Sequence, residues 1–296
     1  QMQLELALKY GMTPYCGTFT PCGKHRQVMS PDEEKHFAYI NGSDLKGLGA
    51  AEKTAIIDKR RIETKHRFGG EPEAELDTLN SVRIACFLSD VDYELSKKSL
   101  DKICSKVEGV KGIYFDYLGY SNFKGCYCDV CLAAYKNFLA ERQLADNQAN
   151  KDMFYRDVLV KYYNDMISYV KSRHPDFKVV VHIYPFLQQE PLYGNRVNAD
   201  FCGQTVAWYF PWKEKKIREY TKAVLAGQND YFKNVSGVPF LGINTKPGGS
   251  FWRKSPETLE KELQILLDSG ADTLMVCSGA AMIEPEYFEI FKKYCR

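Results

Sequence analysis

Val179-Val180-Val181-His182-Ile183-Tyr184 is a run in which β-branched and aromatic side chains follow one another with almost no polar alternation. A strand buried on both faces reads this way, and such strands belong to parallel sheets covered on both sides. Working outward, seven further segments are rich in the same residue types: Thr13–Thr18, Phe37–Asn41, Val82–Leu88, Gly112–Tyr117, Thr205–Phe210, Pro239–Asn244 and Thr273–Cys277. Helical spacing separates most of them. Leu100, Ile103, Cys104 and Val107 recur at i, i+3, i+4, i+7, and Leu259, Leu263, Leu266 and Leu267 keep helical spacing at i, i+4, i+7, i+8 before the last strand. A long helix is expected from about Asp152 to Arg173, ending before His174-Pro175. Ser255-Pro256 opens another and Gly270 closes it. Strand–helix alternation repeated eight times predicts a single α/β domain over residues 1–296, a (β/α)₈ TIM barrel. Asn41–Asn80, long and charged, reads as an enlarged loop and helix after the second strand.

A length of 296 residues fits one such barrel, and 45% apolar residues supply its core. The net charge of +2 gives no drive toward nucleic acid, and no apolar run is long enough to span a membrane. No Gly-rich phosphate loop follows any expected strand, so no nucleotide or other organic cofactor is expected. Removal of a signal peptide would favour a secreted or periplasmic location. Aromatics reach 14%, led by 20 Tyr and 17 Phe. That excess suits a cleft in which flat rings cover the apolar faces of sugars.

The ten cysteines are informative through their spacing. Cys126-Tyr127-Cys128-Asp129-Val130-Cys131 places three sulfurs within six residues, just after the expected fourth strand. Zinc takes four such ligands in a tetrahedron. Cys86, at the end of the expected third strand, is the natural fourth, and a closed four-thiolate site would be structural. Disulfides among these cysteines and free buried thiols are the alternatives.

Cys86-Phe-Leu-Ser-Asp90, Gly112-Ile-Tyr-Phe-Asp116-Tyr117 and the Cys126–Cys131 cluster together resemble the third-to-fourth-strand region of glycoside hydrolase family 42 β-galactosidases. The resemblance covers roughly 55 residues. It implies a glycosidase barrel with a four-cysteine zinc site beside its active-site end. That family ends its fourth strand on an Asn-Glu pair whose Glu is the acid/base. Here the stretch reads Asp116-Tyr117-Leu118, so β-galactosidase activity is not implied.

Glycosidic cleavage ordinarily uses two carboxyls, and in a barrel they sit at the C-terminal ends of strands. Asp116 is the expected nucleophile, base or substrate-anchoring carboxylate. Its partner is expected to be Glu190, ahead of Asp90 and Asp200. His182, Tyr184, Trp208, Trp212, Asn244 and Lys246 stand at other strand ends and are expected to bind a carbohydrate, with the two tryptophans as a sugar platform. The competing readings are a carbohydrate-binding barrel that has lost its acid, and a barrel lyase or aldolase using Lys246 as a Schiff base.

Overall fold

The computed structural model describes residues 15–18, 23–29, 31–40, 42–67, 84–105, 109–120, 125–183, 196–207, 213–226, 235–243, 254–277 and 284–294. The described elements are β1 (Cys16–Thr18), α1 (Pro31–Ile40), α2 (Ala50–Arg67), α3 (Asp90–Ser105), β2 (Gly112–Leu118), α4 (Asp129–Arg142), α5 (Gln148–Arg173), β3 (Lys178–Ile183), β4 (Phe201–Ala207), α6 (Glu214–Ala226), β5 (Ser236–Gly242), α7 (Pro256–Asp268), β6 (Met275–Cys277) and α8 (Pro285–Tyr294). The protein is mixed α/β. Its six described strands lie in chain order in one sheet, and the pairs β1–β2, β2–β3, β3–β4 and β5–β6 are parallel. The chain divides into two compact units. One holds Gln1–Val28, Arg83–Gln204 and Ala226–Gly237, and the other holds Met29–Val82, Thr205–Leu225 and Val238–Arg296.

In the first unit, Cys16 pairs with Ile113, Ile113 with Val179, and Val181 with Cys202. Side chains alternate across a sheet, so Ile113, Phe115, Val179, Val181 and Cys202 share one face and enter the main core. The helix that supplies most of that core is α5. Asn147 caps it by accepting the Asn150 N–H at 2.9 Å, and Lys171 and Arg173 complement the dipole of its last turn. Tyr155, Leu159, Tyr162, Met166 and Val170 recur at helical spacing and are buried. Phe87 packs edge-on to Tyr120 at 5.0 Å and tilted against Tyr162 at 4.9 Å.

In the second unit, Ser255 caps α7 by accepting the Thr258 N–H at 3.2 Å, and Gly270 ends the following turn at φ 95°. Lys254 and Glu262 form an ion pair at 2.5 Å with side chains 1% and 5% exposed, and the Tyr287 hydroxyl donates to the Lys254 carbonyl at 2.6 Å. That bond ties α8 to the start of α7. Between α1 and α2, Arg60 donates to both Asp44 oxygens at 2.7 Å and to the Tyr39 carbonyl.

Three expectations about the strands are corrected. Residues 37–40 of the expected second strand belong to α1. Pro31 opens that helix, its fixed φ suiting the first helical turn, and this outweighs the β propensity of a short apolar run. The expected third strand, as far as Ile84–Leu88 describes it, forms no ladder. Ala85 makes one isolated antiparallel bridge to Arg26, and the run is apolar because it packs into the core beside the cysteines. The expected sixth strand begins earlier, at Phe201. Six of the eight expected strands are thus present among the described residues, with β1 directly beside β2.

Candidate functional site

Asp116 lies near the C-terminal end of β2, where the strand is irregular. Phe115 pairs with Val181 and Leu118 with Ile183, so Asp116 and Tyr117 together stand opposite His182. Such a bulge turns the strand locally and re-aims its side chains, a device common beside active sites. Tyr114 precedes Asp116 by two residues and shares its face. Its hydroxyl donates to Asp116 Oδ1 at 3.2 Å, and His182 Nδ1 meets the same oxygen at 2.9 Å. The Asp116 side chain is 33% exposed, whereas His182 is 1% exposed.

Burial drives the His182 pKa below its ordinary value, against the opposing pull of Asp116. The imidazole is therefore neutral around pH 7. An ionised carboxylate only accepts, so the shared proton is assigned to His182 Nδ1. The result is a partly solvated carboxylate held in one orientation by two donors on a single oxygen. This arrangement suits a group that must keep its charge and aim.

Of the other expected site residues, Glu190, Tyr184, Trp208, Trp212, Asn244 and Lys246 lie outside the described residues. Asp90 is an exposed acid in the first turn of α3, where it complements the helix dipole. Asp200 sits at the opposite ends of the strands from Asp116. It accepts from the Val179 N–H at 2.8 Å, Lys171 at 2.8 Å and Lys178 at 3.1 Å. Burial raises its pKa, but these three donors outweigh burial and hold it below the usual carboxylate range. Tyr114 was not among the expected site residues. The period-two spacing of Tyr114 and Asp116 on one strand was the signal available for it.

The structure brings Cys86, Cys126, Cys128 and Cys131 together, their sulfurs all within 4.8 Å of one another. Cys86 Sγ lies 3.4 Å from Cys131 Sγ and 3.6 Å from Cys128 Sγ. These distances exclude disulfides between those pairs. They are close to the roughly 3.8 Å that separates thiolates around a tetrahedral zinc at about 2.3 Å. The donor set and spacing fit such a metal. Three of the sulfurs are buried and Cys128 is partly open.

The cysteines come from two segments, and a third clasps them. Residues 23–28 run antiparallel to 84–86, with Gln27 N–H donating to Ile84 O at 2.9 Å and Cys86 N–H to His25 O at 2.8 Å. Val28 O accepts from Tyr127 N–H at 2.8 Å, and Val28 N–H lies 3.5 Å from Cys126 Sγ. Asp92 holds the other end of the clasp through the Lys24 and His25 N–H groups at 2.7 and 2.9 Å. A side chain at Gly23 would strike Asp92, its Cβ falling 2.2 Å from the carboxyl. The crowded thiols share protons unequally. Donation by Cys131 and Cys86 holds Cys126 far below the usual thiol range, while Cys131 is pushed up, with Cys126 as the leading cause.

No protein-family model matches the sequence, and no curated protein matches it. Solved structures that resemble it include a glycoside hydrolase domain, a β-galactosidase and an agarase. The PgaB (BpsB) glycoside hydrolase domain from Bordetella bronchiseptica superposes with a TM-score of 0.54 at 12% identity, over 99% of this chain and 78% of that one. A β-galactosidase from Rahnella sp. R3 gives 0.50 at 11% identity, over 93% of this chain and 41% of that one. An agarase gives 0.50 at 11%, over 92% and 38%. The chain thus spans about two fifths of the length of the last two. At these identities the likeness is one of fold. Among the described residues, no helix is long and apolar enough to cross a membrane.

Proposed function

We propose that the protein is a glycoside hydrolase acting on an oligo- or polysaccharide, with Asp116 as its reacting carboxylate. The observation that carries this reading is the held, partly open carboxylate at the C-terminal end of β2, two-thirds covered and bonded by His182 and Tyr114. The fold likeness to proteins described as glycoside hydrolases supports it, as does the general placement of barrel active sites at that end of the strands. Closure of the parallel sheet into a barrel, without the strands expected at Phe37–Asn41 and Val82–Leu88, is part of the same proposal.

In this reading Asp116 attacks the anomeric carbon and Glu190 protonates the leaving oxygen, the retaining arrangement for carboxyls about 5–5.5 Å apart. His182 and the Tyr114 hydroxyl position Asp116. Tyr184, Trp208, Trp212, Asn244 and Lys246 are proposed to line the cleft. The four cysteines would hold a zinc ion that braces the segment after β2, with no open position for water.

The test is reducing-end release from a panel of neutral polysaccharides and oligosaccharides by wild type and Asp116→Asn. The variant is expected to keep its melting temperature and lose about 10²–10⁴-fold in rate. An active wild type unaffected by the change would overturn the assignment. One observation favours a second reading: β2 ends on Tyr117-Leu118 with no glutamate. If wild type binds a saccharide without cleaving it, a carbohydrate-binding role replaces the catalytic one.

A further inference from the structure

We propose that Gly17 and Tyr114 form a ring-stacking subsite for a neutral pyranose beside Asp116, and that Gly17 is the residue that keeps it open. The inference rests on the glycosidase reading of the same face and names one of its specificity-determining positions.

Gly17 is the middle residue of β1 and pairs in register with Tyr114 of β2. Paired residues of parallel strands project to the same side, so position 17 faces the side that carries the Tyr114 ring and the Asp116 carboxylate. Glycine weakens a strand, because it has the most conformational freedom to lose and no side chain to pack. Its presence therefore calls for a reason.

Backbone geometry gives none. Gly17 is not among the residues at positive φ, so any amino acid fits its conformation. Packing gives none either. Among the described residues, a Cβ at Gly17 would meet only Tyr114 Cδ1 within 4 Å, at an ordinary contact distance of 3.9 Å. Gly112 shows the contrast on the neighbouring strand, where a Cβ would fall 2.1 Å from the Tyr15 ring and 2.2 Å from the Lys178 carbonyl. Gly112 is required by the fold and Gly17 is not.

What glycine preserves at position 17 is space. Gly17 is exposed, and Tyr114 beside it is half-buried with its hydroxyl already committed to Asp116. The ring is thus held at its polar end, and its Cδ1 edge borders position 17. A ring held in this way, next to a partly open carboxylate, fits the apolar face of a sugar whose anomeric carbon must approach that carboxylate. The ligand class follows from the surface. An aromatic ring and an exposed glycine backbone offer contact to the C–H groups of a sugar rather than to its charge.

The experiment titrates protein carrying ¹³C-labelled tyrosine rings with agarohexaose and with β-1,4-galactotetraose. The Tyr114 resonance is assigned by Tyr114→Phe, which keeps the ring. Gly17→Ala and Gly17→Leu are compared with wild type. The expected result is a sugar-dependent shift at Tyr114 in wild type, a Kd raised a few-fold by Gly17→Ala and at least tenfold by Gly17→Leu, and unchanged melting temperatures. Tyr114→Phe is expected to retain binding and Tyr114→Leu to lose it. Saccharide binding with the same Kd in both Gly17 variants, or with no response at Tyr114, would overturn the subsite and leave the glycosidase reading standing. No binding of either sugar, together with no hydrolysis across the wider panel, would overturn both. If Gly17→Leu fails to fold, Gly17→Ala decides alone, and an unchanged Kd there counts against the subsite.

Discussion

His182 and Asp116 divide one task unequally. The imidazole is sealed and neutral, and the carboxylate it holds is partly in water. The sign of the pH effect follows from the lowered folded pKa of His182. In the unfolded chain the ring titrates at about 6.5. As pH falls below that value the unfolded state takes up the proton first, so stability is full above it and declines on the acid side through the folded pKa. The melting temperature of wild type should therefore fall more steeply below about pH 6.5 than that of His182→Asn, which lacks the titrating ring. Parallel pH profiles would contradict this. A second residue pair makes a sharper claim. Lys254 and Glu262 are buried against each other, so Lys254→Met should cost about 3–5 kcal/mol by leaving an uncompensated acid. The double variant Lys254→Met/Glu262→Leu should recover most of that loss in urea titration.

Among the elements, the clasp at residues 23–28 links the cysteine cluster to the rest of its unit. Its backbone bonds converge on the segment that carries Cys86 and on Tyr127, between two of the sulfurs. If the four thiolates hold zinc, the purified chain should carry about one equivalent of it, and Cys131→Ser should lose it. Amide exchange at Gln27, Cys86 and Tyr127 should then accelerate well before exchange at Tyr163 or Val179, which lie in the core beyond the clasp. Slow exchange at all of them in the zinc-free variant would show that the clasp stands without metal. The cysteine cluster was legible in the sequence because its spacing is short and its residue type rare. The clasp was not, because residues 23–28 form no regular strand and their role comes from backbone bonds that leave little mark in residue type. The second expected strand misled for a related reason: Phe37 to Ile40 is too short for a helical period to show, and the Pro-Asp-Glu-Glu start carried the better signal.

At the scale of the molecule, the parallel sheet was readable from fully apolar runs such as Val179–Val181 and from the strand–helix alternation around them. Strand number was less readable, because a buried loop and a buried strand are equally apolar, as Ile84–Phe87 shows. The position of Asp116 at a strand end followed from the sequence. Its bond to His182 required register: the bulge that sets His182 opposite Asp116 and Tyr117 leaves no mark in residue type. The account as a whole rests on that carboxylate meeting sugar. The most direct measurement is a crystal structure of Asp116→Asn soaked with an oligosaccharide that the wild type binds. The account predicts an anomeric carbon within about 3–3.5 Å of the residue 116 side chain. A saccharide bound away from it, with residue 116 screened by protein, would contradict the account.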